Sequence, residues 1–143
     1  AGFIRESKSS SEEEKFRAGL YAGKANLALG DTVQAMKEFT EVAVKTQTVT
    51  GAEAKYNVAN LQYIKGDFKT SLATAFDLTN KMPSHDYWVA KTYILIADNY
   101  TGLKDIFQAK STLQSIIENY DSDDDDILSV AKQKLETLNK INK

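Results

Sequence analysis

Glycine followed by aspartate recurs along this chain at a spacing of a little under 40 residues. Gly30-Asp31 and Gly66-Asp67 are separated by 36 positions (66 − 30), and Asp105 follows Asp67 after a further 38 (105 − 67). A period of ~20–50 residues is typical of repeat architectures, in which each small unit stacks on its neighbours to bury its apolar face. The chain is therefore predicted to form a repeat array, and such arrays present extended surfaces that suit the binding of other molecules.

The segments between these pairs have the composition and the end signals of helices. Glycine tolerates the left-handed conformation that closes a helix, and aspartate accepts N–H bonds at the start of the next one. Pro83, the single proline, ends a helix because it lacks an N–H, and Ser11 with Glu14 forms a capping box that predicts a helix start at Ser11. These signals predict seven helices, at about 11–28, 31–45, 52–65, 68–82, 86–101, 105–120 and 124–139, with a polar loop at 46–51.

Residue size predicts how the helices pack. Small residues at Gly23, Ala59 and Ala97 would let two helices approach closely. Large residues are expected to fill the space between neighbouring helix pairs, at Phe39, Phe76 and Leu113. The last helix has an apolar face, consisting of Ile127, Val130, Ala131, Leu135 and Leu138, and a terminal helix of this kind shields the end of an array from water.

The second repeat resembles the tetratricopeptide repeat, a helix–turn–helix unit of ~34 residues. The residues in register with that consensus are Ala54, Tyr56, Asn57, Val58, Ala59, Asn60, Tyr63, Gly66, Asp67 and Pro83. The first copy matches at Ala22, Gly23, Ala35 and Phe39, and the third at Tyr93, Ile96, Ala97, Tyr100, Ala109, Leu113 and Ile116, with Lys104 in place of the turn glycine. The resemblance implies an all-α fold, a right-handed superhelix (α-solenoid) of three helix pairs with a C-terminal capping helix.

The domain boundaries follow from the same register. The repeats are expected at about 16–49, 52–83 and 86–120, and the capping helix at about 124–140, all within a single domain at 11–143. Residues 1–10 are interpreted as an N-terminal tail or as the remnant of a preceding repeat. The chain itself is interpreted as an excised fragment, since it lacks an initiator Met and Ala1–Lys15 has no apolar core of a signal peptide.

The third repeat and the last helix resemble those of bacterial cell-envelope proteins. Tyr87-Trp88-Val89-Ala90 at the opening of the third copy, and the spacing of Ala131, Leu135 and Leu138, are similar to the repeat domains of the Tol–Pal accessory protein and the outer-membrane assembly lipoprotein. The resemblance implies a periplasmic or membrane-associated scaffold. The compartment stays open in the sequence itself.

Several other classes of function are disfavoured. A net charge of −2 argues against a nucleic-acid partner, and no apolar run approaches the ~18 residues needed for membrane insertion. The chain has no cysteine and one histidine, His85, and it contains no phosphate-binding, HExxH or GxSxG motif, so no enzyme activity, metal or cofactor is expected. The acidic run at 121–126 departs from a calcium loop at Asp126 and Lys132, where that loop needs glycine and glutamate.

The resemblance also implies where a partner would bind, because the first helix of each repeat lines the concave face in that family. Seven residues are carried over as a partner-binding groove: Arg17, Lys24, Tyr56, Asn60, Tyr63, Lys91 and Asp98. Tyr56, Asn60 and Tyr63 share one stripe of a helix, and tyrosine offers large contact area with a polar tip. An equally weighted alternative is that the two tyrosines merely cover the core between repeats.

Two functions of different class remain. The first is a non-enzymatic protein–protein interaction scaffold that binds a peptide or a protein on the concave face. The second is a structural C-terminal segment of a longer array, whose main contacts are with its own upstream repeats, with possible self-association through the N-terminal face.

Overall fold

The computed structural model describes residues 2–141, with side chains from residue 11 onward. Residues 2–141 form seven helices and no strand. The helices are α1 (Gly2–Ala28), α2 (Thr32–Lys45), α3 (Val49–Ile64), α4 (Phe68–Lys81), α5 (Asp86–Gly102), α6 (Ile106–Asn119) and α7 (Ile127–Ile141). The predicted all-α architecture of three helix pairs and a final helix is therefore confirmed.

The helices stack in a row as two layers. Each helix packs on the next one along the chain, and the odd-numbered helices also contact one another in sequence, α1 with α3, α3 with α5 and α5 with α7. Within residues 2–141, no comparable contact joins α2 to α4 or α4 to α6. Helices on the inner side of a curved stack lie closer together than those on the outer side. The odd-numbered helices therefore form the inner, concave layer.

The helix ends repeat one geometry at each turn within a pair. The second residue after the first helix of each pair has a positive φ, 83° at Gly30, 83° at Gly66 and 65° at Lys104. The next residue donates its N–H back over the last helical turn, from Asp31 to Asn26 O (2.8 Å), from Asp67 to Gln62 O (3.0 Å) and from Asp105 to Tyr100 O (2.8 Å). Lys104 thus adopts the left-handed conformation that glycine adopts in the other two turns.

Close helix approach occurs at the predicted small residues. Gly23, Ala59 and Ala97 are all buried, and a Cβ at Gly23 would press into the ring of Phe39. Phe39 and Leu113 fill the space between helices, as predicted. The prediction for Phe76 is wrong: its side chain is 37% exposed, and the fully buried Ala75 takes the equivalent place, eight residues after Asp67 as Phe39 is after Asp31 (75 − 67 = 39 − 31).

Two helices begin earlier in the structure than predicted. The prediction that the first helix begins at Ser11 is wrong, because α1 is continuous from Gly2 and no proline interrupts it. The apolar pair Phe3-Ile4 has side chains outside the described residues. α3 begins at Val49, inside the predicted loop, since Glu13 of α1 accepts a hydrogen bond from the Thr50 hydroxyl (2.7 Å) and holds this first turn in place.

The core runs along the stack as three apolar clusters. The last cluster is closed by α7, which buries Ile127, Ala131 and Leu138 against α5 and α6. The helix begins at Ile127, three residues later than the predicted start at Asp124, and Asp125 accepts the N–H of Ile127 (3.0 Å). The final helix therefore packs through the apolar face that the sequence indicated.

Candidate functional site

All seven candidate groove residues lie on the inner layer. Arg17 and Lys24 belong to α1; Tyr56, Asn60 and Tyr63 to α3; and Lys91 and Asp98 to α5. We call the surface formed by these three helices and α7 the inner face. Its residues fall into two groups, one between α3 and α5 and one on α1.

The first group is centred on Lys91. Its ammonium lies 5.2 Å from the ring centroid of Tyr56, 5.3 Å from that of Trp88 and 5.6 Å from that of Tyr87. The rings also touch each other, at 5.7 Å between Tyr56 and Trp88 and 5.1 Å between Tyr87 and Trp88. A cation within about 6 Å of an aromatic face is attracted by the ring quadrupole. We call Tyr56, Tyr87, Trp88 and Lys91 the aromatic cluster.

Asp98 connects this region to the final helix. Its two carboxylate oxygens accept hydrogen bonds from the Lys134 ammonium of α7, at 3.0 and 3.2 Å. Burial raises the pKa of Asp98, and the charge of Lys134 partly opposes that shift. The two residues also line a cavity of about 470 Å³ between α5 and α7. The inner face thus continues from the aromatic cluster onto α7.

The two tyrosines of α3 respond to the same carboxylate. Burial, then the charge of Asp98 and the neighbouring Tyr87, raise the pKa of Tyr56 to about 12. Burial and Asp98 also raise the pKa of Tyr63, while Lys134 opposes the shift. The charge of Asp98 therefore acts on both tyrosines, Tyr56 and Tyr63.

The tyrosines also pack on the core. Both are half-buried against the central cluster of Ala59, Ala75, Leu95 and Ile96, and Tyr63 packs on Phe68 in a tilted arrangement with the ring centroids 5.7 Å apart. Asn60 lies between them on α3 and is half-buried as well. These side chains cover the core and remain partly exposed on the inner face. They therefore have a structural role in addition to any role in binding.

The second group, on α1, stands apart from the aromatic cluster. Lys24 forms an ion pair with Glu53 of α3 and lies 5.8 Å from the ring of Tyr21. Arg17 is exposed two turns earlier on the same helix. The structure therefore places five of the seven candidates on α3 and α5, and the Lys24–Glu53 ion pair links α1 to α3.

Sequence reasoning missed three inner-face residues: Tyr87, Trp88 and Lys134. Tyr87 and Trp88 precede the first position that the repeat register assigns to the groove, although two adjacent aromatic residues at a helix start were a visible signal. Lys134 was missed because α7 was considered only as a cap. Since α7 continues the odd-numbered row, its residues were candidates for the same face as those of α1, α3 and α5.

Two further properties limit the chemistry of the described chain. Among residues 11–141, no three His, Cys, Asp or Glu side chains are grouped so that they could hold a metal ion. None of the helices described is long and apolar enough to cross a membrane.

Residues 91–123, from the first turns of α5 through α6, match the family model described as tetratricopeptide repeat. No curated protein matches the chain significantly. The match coincides with the third helix pair, and the all-helical stack repeats the same unit before it. The fold is thus an α-solenoid of the tetratricopeptide type, as predicted. Repeats of this type generally mediate protein–protein interactions.

Proposed function

We propose that this chain is a non-enzymatic protein-interaction scaffold and that its inner face binds an extended segment of a peptide or protein partner. The observation that carries the proposal is the aromatic cluster. Three aromatic rings and one ammonium gather on a half-buried surface between α3 and α5. Tyrosine and tryptophan in such partly desolvated positions are the side chains most enriched among interface hot spots.

The charges of the inner face support a partner with acidic groups. Among the candidate residues and their ion-pair partners, Arg17, Lys24, Lys91 and Lys134 are cations, and Glu53 and Asp98 are anions. The anions are already paired, Glu53 with Lys24 and Asp98 with Lys134. Lys91 and Arg17 are then the cations placed to meet a carboxylate of the partner.

A binding selection tests the proposal. Peptides selected from a display library on the immobilised protein are titrated by calorimetry into the parent and into a variant carrying Asn60→Ala and Lys91→Ala, which keeps the core tyrosines. The dissociation constant is expected to rise about tenfold or more, equal to about 1.4 kcal/mol. The matched control carries Lys69→Ala and Thr70→Ala on the exposed surface of α4 in the outer layer and should bind like the parent. Equal affinity of both variants would overturn the proposal.

A second candidate function, a structural segment of a longer array, is favoured by α1. This helix has 27 residues, against 14 to 17 for the other six helices described. Three large apolar side chains are exposed on α1, directly after it and in the first turn of α2: Tyr21 at 64%, Leu29 at 82% and Val33 at 77%. Such residues at the N-terminal end of the stack would suit a preceding repeat or a second copy of the chain.

Light scattering separates the two candidates. A structural segment with an uncovered face is expected to self-associate at micromolar concentration, and Tyr21→Lys with Val33→Lys should return it to a monomer. A parent chain that stays monomeric throughout supports the self-sufficient scaffold instead.

The setting we propose for the scaffold is the bacterial cell envelope. The support is the resemblance of Tyr87-Trp88-Val89-Ala90 and of the apolar pattern of α7 to envelope repeat domains. Fractionation of the source cells with an antibody against this chain tests the setting: recovery with the envelope fractions is expected, and recovery with the cytosol alone would contradict it.

A further inference from the structure

A large cleft of the described molecule lies away from the inner face. It lies between α5, α6 and the segment that joins α6 to α7, and has a volume of about 940 Å³. Val89, Ala90 and Ile116 form its apolar floor, while Tyr93 and Tyr120 contribute aromatic walls. We call this the lateral cleft. The residues of α5 that line this cleft are 86, 89, 90 and 93, whereas those in the aromatic cluster are 87, 88 and 91. At 3.6 residues per turn the two sets lie on different sides of α5, so the two surfaces are distinct.

The rim of the lateral cleft carries four carboxylates, from Asp86, Asp121, Asp123 and Asp124. No lysine, arginine or histidine is among the residues lining the cleft, and none of the four takes part in an ion pair within residues 11–141. The cleft therefore combines an apolar floor with a rim of one sign of charge. Like charges around one cavity repel, and a cationic ligand relieves that repulsion.

The neighbouring Asp125 shows that these carboxylates differ in role. Asp125 is used by the fold itself, since it accepts hydrogen bonds from the Tyr120 hydroxyl (2.6 Å) and from the N–H of Ile127 (3.0 Å). It does not line the cleft. The fold thus turns one aspartate of the acidic segment inward to start α7, and leaves three others on the rim.

The spread of the rim carboxylates defines the shape of the ligand. No three acidic side chains in the described part of the chain converge closely enough for a single metal ion. A ligand with several cationic groups along a flexible chain can pair with carboxylates that are spread around the rim, whereas a single ion cannot contact all of them. An apolar side chain between those cations would reach the floor formed by Val89, Ala90 and Ile116.

We propose that the lateral cleft is a second interaction site and that it binds a basic peptide segment, in which lysine or arginine residues flank one large apolar side chain. The occupant is fixed by charge complementarity with the rim and by the apolar floor. The site is separate from the inner face, where Arg17 and Lys91 are proposed to meet an acidic partner. One scaffold would then hold two partners of opposite charge on different surfaces.

The experiment uses a defined probe, the blocked pentapeptide Lys-Lys-Phe-Lys-Lys, titrated by calorimetry into the full chain. Binding should weaken about tenfold or more in the variant Asp121→Asn, Asp123→Asn and Asp124→Asn, which leaves Asp125 and the start of α7 unchanged. The matched control, Glu12→Gln, Glu14→Gln and Glu41→Gln, changes the net charge equally on exposed positions of α1 and α2 and should bind like the parent. Circular dichroism checks that each variant is folded.

Two further probes separate charge from apolar contact. Replacing the phenylalanine of the peptide by glycine should weaken binding severalfold, and replacing its lysines by glutamate should abolish it. Raising NaCl from about 0.05 to about 0.5 M should weaken the lysine peptide as well, because salt screens exposed charges.

Three results would overturn the inference: no binding of the lysine peptide to the parent, equal losses in the aspartate variant and its glutamate control, or loss only in the Asn60→Ala and Lys91→Ala variant. The last result would place the peptide on the inner face. Failure of the inner-face proposal leaves this measurement unaffected, since different residues carry it.

Discussion

Asp98 illustrates how a single residue of the inner face affects stability. Its side chain is 25% exposed and paired with Lys134, yet burial outweighs that partner and raises its pKa. A carboxyl whose pKa is higher in the folded state than in the unfolded chain, where it is about 3.9, binds its proton more tightly when folded. Its favourable contribution is complete below the unfolded pKa and is lost as the pH rises through the folded pKa. At neutral pH the ionised Asp98 therefore lowers the free energy of unfolding.

Replacing this charge should consequently raise stability. Asp98→Asn keeps the shape of the side chain, and Lys134, which is 39% exposed, can be solvated instead. The melting temperature at pH 7 is expected to increase relative to the parent, and the increase should shrink as the pH is lowered toward about 3. Asp67→Asn, which removes an exposed carboxylate without a capping bond, is the control. A variant that is less stable than the parent at pH 7, but equal to it at pH 3, would contradict this account.

At the scale of the helices, the turn between α5 and α6 departs from the other two turns within helix pairs. Lys104 has φ 65°, where Gly30 and Gly66 each have φ 83°. An L-residue with a Cβ pays roughly 1 kcal/mol or more for the left-handed conformation, and glycine does not. The backbone hydrogen bond that closes the turn, from Asp105 N to Tyr100 O, is nevertheless present. The geometry of the turn is thus imposed by the packing of α5 on α6.

Lys104→Gly should therefore stabilise the protein by about 0.5–1 kcal/mol, because the strain is removed although the unfolded chain gains some freedom. Urea unfolding measures the change. Gly66→Ala is the matched reverse substitution: an added Cβ there meets no atom within 4 Å, so backbone strain is the penalty in the folded state, and a loss of about 1 kcal/mol is expected. If both variants shift stability in the same direction, backbone strain does not govern these turns.

The helix order was predictable from sequence because its signals are local. Gly30, Gly66 and Asp105 mark helix ends through their own backbone preferences, and the pattern of small residues at Gly23, Ala59 and Ala97 follows from close approach. The errors came from tertiary contacts. The Thr50–Glu13 hydrogen bond extends α3 into a predicted loop. In α4 the core position is one residue earlier than predicted, so Ala75 is buried where Phe76 was expected.

The candidate site was predictable only in part for the same reason. The register of one repeat placed Tyr56, Asn60 and Tyr63 on a shared stripe, which is a property of a single helix. The approach of Trp88 to Tyr56, and of Lys134 to Asp98, depends on how successive pairs stack. The lateral cleft depends on the path of the chain after α6, and no periodic signal describes that path.

At the scale of the whole molecule, every helix contacts helices no more than two positions away in the row. Stability in such a stack is approximately a sum of local units and nearest-neighbour interfaces, so a defect acts most strongly on its own end. Ile127, with 2% exposure, anchors α7 at the C-terminal end, and Ile141 of the same helix is 63% exposed. The two isoleucines form a matched pair for measuring how far a perturbation spreads.

Ile127→Ala is expected to cost about 2–5 kcal/mol at the interface of α7, and Ile141→Ala close to nothing. Hydrogen exchange followed by mass spectrometry should show faster exchange in α5, α6 and α7 of the first variant, with α1 and α2 nearly unchanged. The second variant should exchange like the parent. An equal increase over all seven described helices would mean that the stack unfolds as one cooperative unit and not as a row of neighbours.

The aromatic cluster has one more consequence, which is optical. Trp88 is the single tryptophan of the chain, and it stands between Tyr56 and Tyr87. Ultraviolet light at the red edge of protein absorption therefore excites one indole, in one place. The emission wavelength and the fluorescence lifetime of Trp88 depend on the solvent exposure and the polarity of its surroundings in the aromatic cluster. Trp88 is thus an intrinsic fluorescent probe on the inner face, and a ligand that binds beside it should change the tryptophan emission without any added label.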